Sequence, residues 1–223
     1  MTEIFIGSDA GQQAAAMVAA AAGYLENSSF EVPGLEEIRV ELRAEESLET
    51  AEVLSATPDR WVVAPGETLQ VRLRLRPHRG EEYSQTAEIR VPESVPEGRL
   101  DLVVADGTAW TVYDLQMRPP RSGSFGDDVG LFRRLVPSNR LVLAFERQEV
   151  GVAMPGGPIA VPPSLVVQRK SALGAGLQTT EYAVVGWAEE QMATPVSAAE
   201  RIKLTVRAEE REDRCSSFER SGR

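Results

Sequence analysis

A mainly β fold is predicted by three observations. Apolar and polar residues alternate in several short runs, proline and glycine punctuate the gaps between them, and only one long stretch favours a helix. The clearest run is "TLQVRLRLRP", where Leu69, Val71, Leu73 and Leu75 share one side and Arg72, Arg74 and Arg76 the other. Short alternating strands with such punctuation are the pattern of an immunoglobulin-like sandwich.

Taken in order, the chain opens on the alanine-rich "AAAMVAAAAGYL", predicted as a helix capped by Ser8 or Asp9, running to about Glu26 and stopped by Asn27-Ser28-Ser29. "LEEIRVELRAE" then alternates Ile38, Val40 and Leu42 against Arg39, Glu41 and Arg43, which predicts a strand with one wet face. Together these form an N-terminal helix and strand over 1–44, packed on the β domain. The Ig-like sandwich is expected over 45–117. Its strands are "AEVLSATP", "RWVVAPGET", "TLQVRLRLRP", "TAEIRVP" and "GRLDLVVADG", with turns at Pro65-Gly66 and Asp106-Gly107. "RPPRSGSFGDD" is a connection. A second, small α+β part is expected over 118–207, with a helix at "DDVGLFRRL", strands at "RLVLAFER", "TEYAVVGWAEE" and "AERIKLTVRAE", and a short helix after Pro163. Residues 208–223 read as a disordered charged tail.

Composition excludes several classes of function. A net charge of −10 over 223 residues repels nucleic acid and anionic lipid. The longest apolar run is too short to cross a bilayer, so no membrane insertion is expected of this segment. One cysteine and one histidine, Cys215 and His78, build neither an internal disulfide nor a His/Cys zinc site, and no metal or cofactor is expected. No basic n-region precedes an apolar core at the N-terminus, so it is no signal peptide. The start, almost directly into a helix, favours a piece of a longer chain.

Chemistry-bearing residues are sparse. Arg72, Arg74 and Arg76 form a basic strip, read as a solvated sheet face paired with acids such as Glu88 or Asp101. His78 is a turn residue with no motif placing a nucleophile beside it. Asp127-Asp128 is explained by the helix dipole, and "GAG" at 174–176 lacks the strand and helix of a dinucleotide fingerprint. Trp61, Trp110 and Trp187 are expected to pack in the core or between sheets. A carbohydrate platform would need Trp110 or Trp187 exposed in a groove, and a hydrolase would need two carboxylates converging in a pocket with raised pKa values. No catalytic residue is assigned. The residues best suited to partner contact are the strip Arg72, Arg74 and Arg76 and the projecting loop with Met154, Pro155 and Pro158.

The order of punctuation motifs adds a resemblance. Pro65-Gly66, Leu75-Arg76-Pro77, Ile89–Pro92, Gly98–Gly107 and Pro162-Pro163-Ser164 resemble the region that follows the peptidase domain in SpoIVB-like (S55 family) serine peptidases. The resemblance spans roughly residues 10–207, and the peptidase domain itself has no counterpart in it. It implies a non-catalytic accessory module that binds or positions a partner protein or substrate for an upstream peptidase domain. An extracytoplasmic or envelope-associated setting is implied with it.

Overall fold

The computed structural model describes residues 3–28, 30, 37–46, 48–120, 124–153, 159–160 and 179–207. The protein is mainly β, with two mixed sheets and three helices among these residues. In chain order the elements are α1 (Ala10–Glu26), β1 (Ala51–Pro58), β2 (Val62–Val63), β3 (Thr68–Pro77), β4 (Tyr83–Arg90) and β5 (Gly98–Asp106). They continue with α2 (Gly107–Met117), α3 (Phe125–Phe132), β6 (Arg140–Val152), β7 (Ile159–Ala160), β8 (Thr179–Gln191), β9 (Val196–Ser197) and β10 (Ala199–Val206).

The first sheet runs β4-β3-β1-β9, and the second runs β2-β10-β5-β6-β7, with β8 also paired to β6. Alternation decides how they stack. Leu69, Val71, Leu73 and Leu75 of β3 are all fully buried, each contributing about 1.5–3 kcal/mol relative to exposure. They meet Leu100, Leu102 and Val104 of β5, Leu141, Leu143 and Phe145 of β6, and Ile202, Leu204 and Val206 of β10 in one core cluster. The turn after β2 uses Gly66 at φ +85, a conformation that suits glycine, and Gly66 N donates to Val91 O at 2.9 Å.

Several expectations change. Residues 37–46 join no sheet: the predicted strand there is exposed throughout and pairs with no described strand, although its alternation of apolar and charged residues is that of one. Asp106-Gly107 does not end a hairpin. Asp106 instead caps α2, its carboxylate accepting from Ala109 N at 2.8 Å. Asp128 does more than complement a helix end: buried in α3, it accepts from Tyr24 Oη at 3.3 Å and Ser28 Oγ at 2.6 Å, tying α1 to α3. The division expected at residue 117 also cuts across the sheets, since β5 lies between β10 and β6 in the second sheet. Met154, Pro155 and Pro158, the helix expected after Pro163 and the tail 208–223 lie outside the described residues.

Candidate functional site

The outer face of the second sheet carries α2, and the chemistry gathers beneath and beside it. Ala105, Val142 and Ala144 of the sheet pack with Trp110 of α2 and with Val136 in a second apolar cluster. Helix α2 is held close at both ends of this contact. Thr111 Oγ1 accepts from Val136 N at 2.9 Å, and Gly107 lies so near the Pro137 carbonyl that no Cβ fits between them.

One side of α2 opens on a cleft of about 350 Å³ lined by Trp110, Asp114, Arg118, Arg133, Arg134, Arg140, Trp187 and Glu189, with Leu135–Pro137 closing its wall. Asp114, only 5% exposed, organises the cations. Its Oδ1 accepts from Arg118 Nε at 2.7 Å, and its Oδ2 accepts from Arg134 Nε at 3.0 Å and Nη2 at 2.8 Å. Arg134 Nη2 also donates to the Arg118 carbonyl at 2.6 Å, which fixes the guanidinium plane. Arg140 stands 3.9 Å from Glu189, and Arg133, at the C-cap of α3, is exposed. Four guanidiniums face two carboxylates, so the cleft carries a net +2 in a chain of net −10. Trp187 is 49% exposed, and its ring stacks at a 32° tilt on that of Trp110, centroids 6.2 Å apart. A planar aromatic face beside surplus guanidinium can hold a carboxylate and the apolar stem that carries it.

On the same sheet face sits a second charged group. Asp101 and Glu146 face each other across β5 and β6, and both are buried. Arg201 reaches both, at 3.4 Å from Asp101 Oδ2 and 2.6 Å from Glu146 Oε2, while Arg99 Nε donates to Asp101 Oδ1 at 3.0 Å. Burial opposes ionisation of Asp101, but the Arg99 and Arg201 guanidiniums outweigh it and hold the carboxyl below its usual range. The paired acids required by a hydrolase reading are thus present in proximity, yet Asp101 is shifted opposite to the direction an acid catalyst needs. Tyr182 lies under Arg201, 4.8 Å from ring centroid to guanidinium carbon.

Tyr113 completes this group from α2. Burial of its hydroxyl, followed by the neighbouring Glu146 carboxylate, pushes the phenol well above its ordinary 10.0. A raised folded-state pKa favours the neutral form, so its contribution to stability is whole below pH 10 and disappears as pH rises toward the folded value. An alkaline titration followed at 295 nm should therefore show one of the four tyrosines ionising only as the protein unfolds. Tyr113→Phe should remove that laggard. Four tyrosines ionising together near pH 10, with structure intact, would contradict this environment.

Of the residues singled out by sequence, Trp110 and Trp187 line the cleft and Asp101 joins the buried acids, while the basic strip and His78 lie elsewhere. Arg72, Arg74 and Arg76 occupy the exposed outer face of β3, as alternation requires, but their expected cross-strand partners differ. Arg74 and Arg76 reach Glu82, at 3.8 and 3.2 Å, because the β3–β4 turn folds it back over them. Glu88 accepts instead from Gln70 at 3.2 Å, and Asp101 belongs to the other sheet. These pairs are more than two-fifths exposed and stabilise little. His78 is exposed in the turn, its backbone N–H donating to Thr50 O at 2.8 Å. Trp110 is buried as expected. Trp61 and Trp187 are not: Trp61 is 57% exposed beside the edge strand β2, and Trp187 is 49% exposed at the cleft. Sequence reading missed the arginines of the cleft, although Asp114 and Arg118 stand at the i,i+4 spacing of a helical ion pair. In comparisons with known proteins, no family model, curated protein or solved structure matches this chain.

Proposed function

We propose that the chain is a non-catalytic interaction module, an Ig-like sandwich that binds an acidic segment of a partner protein in the cleft between α2 and β8. One observation carries this reading: a net +2 cleft with a half-exposed tryptophan stands on a chain of net −10. Arg133 is exposed and positioned to engage a carboxylate, while Arg118 and Arg134 share a single buried carboxylate and keep surplus positive charge. The Trp187 face supports the aliphatic stem of the bound side chain. In the setting implied by the SpoIVB-like resemblance, the module positions a partner or substrate for a neighbouring peptidase domain.

The test is a titration of intrinsic tryptophan fluorescence with a poly-glutamate peptide, repeated with a poly-lysine peptide. Poly-glutamate should bind, more weakly as salt rises, since exposed charges are screened within about 8–10 Å at physiological ionic strength. Arg133→Glu neutralises the cleft and should weaken binding about tenfold, roughly the effect of losing one charge-assisted contact. Trp187→Ala should weaken it by a similar factor without unfolding the protein, because the side chain is half-exposed. Equal binding of poly-lysine, or binding indifferent to both substitutions, would sink the reading.

The exposed face of Trp187 in a groove specifically favours a second reading, an oligosaccharide stacked on the ring. A neutral sugar would bind with little salt dependence, survive Arg133→Glu and be lost in Trp187→Ala.

A further inference from the structure

Residues 37–46 have a strand's sequence without a strand's partner. Every residue of 37–46 is exposed, with Ile38 at 48%, Val40 at 47% and Leu42 at 73% of their free surface. The segment's ion pairs run between alternate residues, as they would along one face of an extended chain. Arg39 reaches Glu37 at 3.1 Å and Arg43 reaches Glu41 at 3.3 Å, which brings the charged side chains to one side of the segment. The opposite face therefore carries Ile38, Val40 and Leu42, unpaired among the described residues.

We propose that this segment pairs with the same segment of a second copy, as an antiparallel two-stranded ribbon centred on Val40. The charge pattern specifies that occupant and register. With Val40 opposite Val40, Arg39 faces Glu41 and Glu37 faces Arg43, and the two-fold axis repeats each pair. On the other face Ile38 meets Leu42. Sliding the register to centre on Arg39 or on Glu41 sets like charges against each other. Centring on Leu42 keeps opposite charges together but puts Glu46 against Ile38 on the apolar face. Parallel in-register pairing puts every charge beside its own kind. A parallel pairing offset by two residues also matches charges but does not close, so among two-fold, closed arrangements the one centred on Val40 alone satisfies both faces.

A two-stranded ribbon is marginal in water, and this one buries only three large apolar side chains per copy, so the association is weak and concentration-dependent. It is also separate from the cleft. Sedimentation velocity on the full chain over a range of concentrations tests it, with the variants Val40→Lys, Arg39→Glu, Glu41→Arg and the double exchange R39E/E41R. All three positions are exposed in the monomer, and circular dichroism should be the same for every variant.

The wild-type chain should show a reversible monomer–dimer equilibrium. Val40→Lys, which sets two ammonium groups on the axis, should abolish it. Arg39→Glu alone creates two like-charge contacts per dimer and should weaken it about tenfold, as should Glu41→Arg. R39E/E41R should restore it, because each exchanged side chain again meets its opposite charge across the two-fold axis. A chain monomeric throughout, a dimer indifferent to Val40→Lys, or a double exchange that fails to restore pairing would each overturn the proposal. So would amides of 37–46 that gain hydrogen-exchange protection only on adding a different protein, which would assign the segment to a foreign sheet edge.

Discussion

Gly107→Ala is expected to be the most damaging glycine-to-alanine substitution among the described residues. A Cβ at Gly107 would overlap the Pro137 carbonyl oxygen and come within 2.8 Å of both Pro137 C and Val136 O. All three are backbone atoms, so no rotamer relieves the overlap and either α2 or the turn before β6 must shift. Overpacking of this kind costs about 3 kcal/mol or more, lowering Tm by about 10 °C in a chain of this length. Gly130 in α3 supplies the control. A Cβ there meets nothing within 4 Å, so Gly130→Ala should gain about 0.5–1 kcal/mol by stiffening the unfolded chain. Thermal and urea unfolding measure both. If Gly107→Ala stays within about 0.5 kcal/mol of the parent, the close approach of α2 to Pro137 is not a constraint.

Asp114→Ala should follow with an effect of similar size and a different cause. The carboxylate is buried and bridges Arg118 and Arg134, whose side chains keep 37% and 23% of their exposure. Removing it leaves two guanidiniums in repulsion, one of them mostly enclosed. Breaking a buried ion pair from one side costs about 3–5 kcal/mol, and the partial exposure of the arginines argues for the lower end. A double-mutant cycle with Arg134→Ala should give a coupling above about 1 kcal/mol, since Nε and Nη2 of Arg134 both donate to the buried Asp114 Oδ2. Additive losses would show that the two side chains act independently, and that Asp114 does not set the geometry of the cleft.

The strands were legible where one face is core and the other water. The alternation of β3 names its buried set without error, because period two leaves no freedom once one face is covered. The segment 37–46 has the same alternation and no strand. Pattern reports what a strand would bury, but a ladder also needs an edge, and the edge is a tertiary fact. Helix α2 was hidden for the reverse reason. "GTAWTVYDLQM" is rich in threonine, valine and aromatics that favour strands, and its helix rests on the Asp106 cap and on Trp110, Asp114 and Met117 facing inward at helical spacing. Without that helix, Asp114 and Arg118 cannot be seen as neighbours. Arg134, Arg140 and Trp187 join them only through the packing of α3, β6 and β8, which no local pattern records.

The placement of β10 governs how the chain can reach this structure. The last strand described enters the middle of its sheet, between β2 and β5, and residues 199–206 pair with residues 105–98 made about a hundred positions earlier. A ribosome delivering the chain from its N-terminus would release β5 with that flank vacant. Vectorial, strand-by-strand completion is therefore closed to this sandwich, and loop-closure entropy makes such distant pairing slow. Until β10 emerges, the open flank of β5 is an invitation to other nascent chains, which makes the interval before its synthesis the period of greatest aggregation hazard.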